Sequence, residues 1–153
     1  MANTFSKLYV QLVFGVKNRV SLIDDQIKDQ IEKYISGVVT AKKCRLMAIY
    51  CNPDHIHIFI SIHPSIAIAD LVRDIKTLSS GWIHREFENL KHFGWQDGYG
   101  AFTYAQSQTG AVVKYILRQR EHHQKRNFRE EYVDLLKKFE IDFDEKFLLD
   151  FEM

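Results

Sequence analysis

The chain has 153 residues, 46% of them hydrophobic and 13% aromatic, which is enough for one domain with a real core and too apolar for a disordered chain. No apolar run approaches the ~20 residues of a membrane span, and Met1 to Val10 lacks the basic stretch and apolar run of a secretory leader. No membrane partner and a cytoplasmic location are therefore expected. The net charge of +1 excludes nothing, but the charge is uneven: residues 130–153 hold nine acidic and three basic side chains, and residues 112–129 hold six basic ones against Glu121 alone. Such a basic cluster is what a phosphate-binding surface needs, although a charge run is more often a solvated helix face.

The predicted elements run in chain order as follows. Lys7 to Phe14 alternates Leu8, Val10, Leu12 and Phe14 with Tyr9, Gln11 and Val13, the pattern of a half-buried strand. Asp24 or Asp25 caps a helix whose apolar stripe is Ile27, Ile31, Ile35 and Val38. Cys44 to Cys51 is a second strand. The two cysteines have an odd separation and point to opposite faces, so no disulfide joins them. Asn52-Pro53-Asp54 is turn chemistry, and His55 to Ile62 is a third strand paired with the second as a hairpin. Ser65 caps a long helix to about Phe87, with Ile68, Leu71, Val72, Ile75, Leu78 and Trp82 on its stripe. A Gly- and aromatic-rich stretch, Phe93 to Tyr104, leads into a fourth strand. Thr109 opens a helix with Val112, Val113 and Ile116 apolar, and Asn127 caps a last helix through Tyr132, Leu135, Leu136 and Phe139. No repeat or boundary interrupts residues 1–153, which read as one domain. The order predicts an α+β fold, a ferredoxin-like (RRM-like) antiparallel sheet with helices on one face plus a C-terminal tyrosine-bearing helix.

Three features carry chemistry. His55 and His57 lie two apart on a strand and so share a face, while Ile56, Ile58, Ile60 and Ile62 fill the other; two imidazoles on a rigid strand make half a metal site. Tyr115 and Gln119, four apart on a helix, place a phenol one turn from an amide oxygen, which is a hard-metal ligand. Trp95-Gln96-Asp97-Gly98-Tyr99-Gly100-Ala101-Phe102 interleaves aromatics with glycines, as a stacking platform for unpaired bases or a turn with an apolar anchor would. Taken singly, each has an ordinary structural explanation. The remaining histidines, including His122 and His123, form no zinc spacing.

Together the features resemble a family. Asp54-His55-Ile56-His57-Ile58 resembles the His-hydrophobe-His motif of the HUH endonucleases. The 95–102 stretch, and Tyr115-Ile116-Leu117-Arg118-Gln119 followed by His122-His123, are similar to one branch of them, the single-tyrosine transposases of the insertion-sequence-200/605 group. The resemblance runs from about Leu12 through Leu136. It implies a homodimer acting on single-stranded DNA with hairpins at mobile-element ends. It implies Tyr115 as nucleophile, and His55, His57 and Gln119 as ligands of a divalent metal, Mg2+ or Mn2+, with the two-His site suiting manganese at least as well. It implies attack by the tyrosine to leave a 5′-phosphotyrosine and a free 3′-hydroxyl, which keeps the bond's energy so that no ATP is needed; the absence of a phosphate-binding glycine loop agrees. Charge alone adds Lys42, Lys43, Arg45, Arg73, Lys76, Lys114 and Arg118 as DNA-binding candidates. The rival readings are a repeat-associated tyrosine transposase acting on chromosomal hairpins, a rolling-circle initiator, and a non-catalytic single-strand-binding module.

Overall fold

The computed structural model describes residues 4–144; residues 1–3 and 145–153, which include the end of the acidic stretch, lie outside it. Its main elements are β1 (Tyr9–Gly15), α1 (Asp25–Ala41), β2 (Arg45–Cys51), β3 (His55–Ser61), α2 (Ile68–Glu86), β4 (Gly100–Tyr104), α3 (Thr109–Leu117), α4 (Gln119–His122) and α5 (Phe128–Lys138). The strands form one sheet in the order β2-β3-β1-β4, with every neighbouring pair antiparallel. This is the expected ferredoxin-like α+β topology.

One face of the sheet carries the main core. Val10, Leu12 and Phe14 of β1 and Ile56, Ile58 and Ile60 of β3 meet Ile31, Ile35 and Val39 of α1 and Leu71, Val72, Ile75 and Ile83 of α2. The helix α1 starts where the sequence places it, because Asp24 Oδ1 accepts the Gln26 and Ile27 amides at 2.9 and 3.2 Å. The start of α2 differs from expectation. Ser65 does not cap it; its hydroxyl is held by His63 Nδ1 at 2.7 Å, and the helix begins three residues later at Ile68. Leu78, expected on the apolar stripe, is 45% exposed, and the buried row passes instead through Ser79. Ser79 is tolerated there because its hydroxyl bonds Ile75 O at 2.6 Å and accepts from Trp95 Nε1 at 2.9 Å. Cys44 and Cys51 are both buried and free.

The opposite face departs most from the sequence pattern. β1 is buried along its whole length and not half-buried. A second layer, made by α3 and α5, covers Tyr9, Ala48 and Phe59 on one side and Val13 and Phe102 on the other. The physical reason is compositional: this face is itself largely apolar, so it needs a cover. Asn127 builds the start of that cover as expected, accepting the Glu130 amide at 2.9 Å while the Glu130 side chain accepts the Asn127 amide at 2.9 Å. The aromatic–glycine stretch resolves as an anchor. Trp95 packs edge-on against Phe14 and Phe93, Phe102 is buried, and Tyr99 alone of its aromatics is exposed.

Candidate active site

β3 delivers the two histidines as the alternation requires. Ile56, Ile58 and Ile60 are locked in the core, so a one-residue slip would bury the wrong set, and His55 and His57 are held on the other face. Both are covered by the second layer, at 1% and 0% exposure. The His55 ring stacks on Phe128 of α5 with centroids 3.8 Å apart. Gly15, paired across the sheet with His55, permits this: a Cβ there would stand 2.9 Å from Phe128 and 2.7 Å from Gln96 Oε1.

Each imidazole is oriented through Nδ1. Asp54 Oδ1 lies 2.7 Å from His55 Nδ1, and Gln11 Oε1 lies 2.7 Å from His57 Nδ1. Both oxygens can only accept here, so each Nδ1 carries the proton and each Nε2 presents a lone pair. Asn52 Nδ2 donating toward His55 Nε2 at 3.1 Å fits the same tautomer. The three Nε2 atoms of His55, His57 and His123 then converge on one carboxylate oxygen, Glu131 Oε1, at 3.3, 3.1 and 2.9 Å. Ligand atoms of these four residues all lie within 4.8 Å of one another. His123 Nε2 faces two acceptors, Glu131 Oε1 and Gln119 Oε1, and so donates, whereas the lone pairs of His55 and His57 facing a buried carboxylate need a proton or a cation between them. Three imidazoles and one carboxylate are a borderline donor set that suits a divalent transition metal better than magnesium. The residues present therefore fit a divalent cation.

The electrostatics follow from the same contacts. Burial pushes His55 down, but its bonds to Asp54 and Glu131 outweigh that and raise its pKa. His57, with a single carboxylate neighbour, stays below the usual imidazole value because burial dominates. Burial pushes Glu131 up, yet the charge of His57 and the bonds from the three histidines hold it far below the ordinary carboxylate range. Tyr115 donates its phenolic hydrogen to Glu131 Oε2, and Arg126 Nη2 donates back to the phenol oxygen at 3.3 Å. Burial first, then the Glu131 charge, pushes the phenol above its normal value of 10. Its ring stacks on His122 with centroids 4.5 Å apart.

The tyrosine and the glutamine do not share one continuous helix as expected. The chain leaves helical geometry at Arg118, with φ −105° and ψ 24°, and Gln119 opens the separate α4. The two still meet, with Gln119 Nε2 3.5 Å from Tyr115 O. Gln119 is fully buried; its Nε2 donates to Glu131 Oε2 at 3.1 Å, and its Oε1 accepts from Asn52 at 3.1 Å and lies 3.0 Å from His123 Nε2. All four expected site residues are thus brought together.

Sequence reasoning missed His123 and Glu131. The sequence held one signal for the second: Glu131 falls on the buried stripe Phe128, Glu131, Tyr132, Leu136 of α5, where a carboxylate is out of place without a partner. The basic candidates divide. Lys42 pairs with Asp74 at 2.7 Å, Arg73 with Asp70 and Asp74 at 3.2 and 3.1 Å, and Lys76 Nζ caps the Gln96 and Gly98 carbonyls at 2.8 and 2.6 Å. These three have structural partners on the far side of the sheet. Lys43 occupies the left-handed region, φ 65°, just past α1.

This fold is that of transposases. A solved structure of a transposase from Deinococcus radiodurans is similar with a TM-score of 0.65 at 23% identity, over 78% of this chain and 95% of that one. The structure of a REP-associated tyrosine transposase bound to a REP hairpin is similar with a TM-score of 0.60 at 17% identity, over 80% and 73%. The ISDra2 transposase TnpA of Deinococcus radiodurans is 24% identical over 115 residues, 72% of this chain and 82% of that protein. The model of the family "Transposase IS200 like" matches residues 4–119, and the chain belongs to that family. The match takes in His55, His57, Tyr115 and Gln119 and stops before His123 and Glu131.

Proposed function

We propose that this transposase cleaves and rejoins single-stranded DNA at mobile-element ends through a covalent bond to Tyr115. The observation that carries the reading is the meeting of Tyr115 with the buried donor cluster: Glu131 joins them, one carboxylate oxygen to the phenol and the other to three imidazole nitrogens. His55 and His57 would hold a divalent cation, Mg2+ or Mn2+, together with Glu131, and His123 and Gln119 stand within reach of the same place. When bound, the cation offsets phosphate charge and polarises phosphorus. Asp54 and Gln11 keep the two imidazoles turned with Nε2 inward. The Tyr115 phenol gives up its proton as its oxygen bonds to phosphorus, and the phosphorus–O3′ bond breaks to release a 3′-hydroxyl. A phenol is a far better leaving group than an alkyl alcohol. A second 3′-hydroxyl therefore reverses the step and joins strands without ATP.

The DNA carries hairpins, as in the hairpin-bound neighbour, and a homodimer supplies one tyrosine for each of two element ends. A repeat-associated transposase acting on chromosomal hairpins uses the same residues and is separated only by its substrate. Wild type incubated with labelled single-stranded element ends and Mn2+ is expected to yield a protein–DNA adduct on denaturing gels. Tyr115→Phe is expected to yield none, and an adduct with the variant would move the nucleophile elsewhere.

A further inference from the structure

Beside the Tyr115 phenol, between α3 and α5, lies a cavity of about 470 Å³ whose floor is the outer face of β1 and β4. That size is within the range of small-molecule sites, about 300 to 1,000 Å³. We infer that it is a subsite for one unpaired nucleobase of the DNA strand whose phosphate meets Tyr115; the inference rests on the strand-cleavage reading above.

The lining has the chemistry of a nucleotide site. The floor is the Tyr104 ring, whose hydroxyl is pinned by Gln11 Nε2 at 2.7 Å, and an aromatic ring of fixed orientation is a stacking surface for any base. Val112 and Leu135 make apolar sides. At the phenol end stands Arg126, 3.3 Å from Tyr115 Oη, and Lys138 Nζ sits 5.8 Å from the Tyr104 centroid. The two carboxylates in the wall are both engaged: Asp134 pairs with Arg126, and Glu131 is shared between the histidines and the Tyr115 phenol. Lys138 makes no ion pair with a carboxylate among the described residues, so one ammonium group on the wall stands ready to meet a phosphate. The base edge has readers as well. Gln108 Oε1 is fixed by the Ala105 amide at 2.8 Å, and its Nε2, like the Ser107 hydroxyl, makes no hydrogen bond among the described residues.

Position adds to chemistry. Phe128 closes the histidines on one side and Gln119 closes them on another. This cavity, by contrast, is lined by both Tyr115 and Glu131, so a strand that brings a phosphate to the phenol has to lay its neighbouring nucleotide here.

The test is amide-resolved NMR of the full chain with Mg2+, titrated with the four deoxynucleoside 5′-monophosphates and with deoxyribose 5-phosphate. At least one nucleotide is expected to shift the amides of Ser107, Gln108, Ala111 and Leu135 saturably, with the base-less sugar phosphate binding at least tenfold more weakly. Ala111→Trp, at an exposed residue of α3 on the cavity wall, fills the space and is expected to abolish those shifts; Gln108→Ala is expected to weaken them severalfold. No shift with any nucleotide, equal binding of the sugar phosphate, or an unchanged titration of the folded Ala111→Trp variant each overturns the subsite. The adduct assay judges the underlying reading separately. An adduct from a protein whose cavity ignores nucleotides removes only the subsite. Nucleotide binding without any adduct removes the cleavage reading and, with it, the assignment of this ligand to a DNA strand.

Discussion

Glu131 is the residue on which the site turns, because one buried carboxylate serves three imidazoles and the phenol at once. Its pKa in the fold lies below the unfolded value of 4.5. A carboxylate lowered on folding contributes stability above its unfolded pKa and loses that contribution as pH falls toward the folded one. The metal-free Glu131→Gln variant is therefore expected to be about 3 kcal/mol less stable than wild type at pH 7, since it takes from the buried His55 a carboxylate that raises its pKa. Urea unfolding at pH 7, 5 and 4 should show the gap narrowing below about pH 4.5; a gap independent of pH would remove the ion-pair account. The proposed cation would make a second demand on the same residues. At a concentration a hundredfold above its Kd, it should stabilise the fold by about 2.7 kcal/mol, or roughly 5 to 10 °C in Tm. Thermal melts with and without Mn2+ are expected to lose that shift in His57→Ala and Glu131→Ala. His123→Ala and Gln119→Ala should keep part of it, because the two side chains stand 3.0 Å apart and either can fill the last position.

At the scale of elements, the chain end of α1 shows how a charge-based reading and a backbone role overlap. Lys43, a DNA-binding candidate by charge, sits at φ 65° one residue past the Lys42 cap, where helices most often place glycine. A lysine there costs roughly 1 kcal/mol of backbone strain. Lys43→Gly is expected to raise stability by about 0.5 to 1 kcal/mol in chemical denaturation. If its affinity for single-stranded DNA is unchanged, the lysine owes its place to the turn and not to phosphate. The break at Arg118 is the other element-level finding. Two short helices in place of one let Gln119 turn inward while Tyr115 keeps its place on α3.

For the whole molecule, the distribution of unpaired cations decides where a nucleic acid would lie. Lys42, Arg73 and Lys76 are engaged behind the sheet, and Arg120 is taken by Asp25 at 2.7 Å. Lys114, Arg118 and Lys125 are exposed, with no ion pair among the described residues, and stand on or beside the tyrosine segment. Three phosphate contacts to a single strand give a slope of log K against log salt of about −2. Filter binding of single-stranded DNA from low to high salt is expected to show that slope. Substituting these three residues should flatten it, and substituting Arg73 and Lys76 should not.

The sequence by itself determined the sheet, its flanking helices and the outward aim of His55 and His57, because strand and helix periodicities are local and the isoleucine row leaves one register open. It also carried Tyr115 and Gln119, though only through their resemblance to a family pattern. The tertiary structure alone decided that His123 and Glu131 complete the cluster. They lie 66 and 74 positions or more beyond the strand histidines, and no spacing rule links residues brought together by packing α5 onto an apolar sheet face. The burial of β1 on both sides has the same cause: a strand's own alternation says which residues share a face, while what covers that face depends on segments far along the chain.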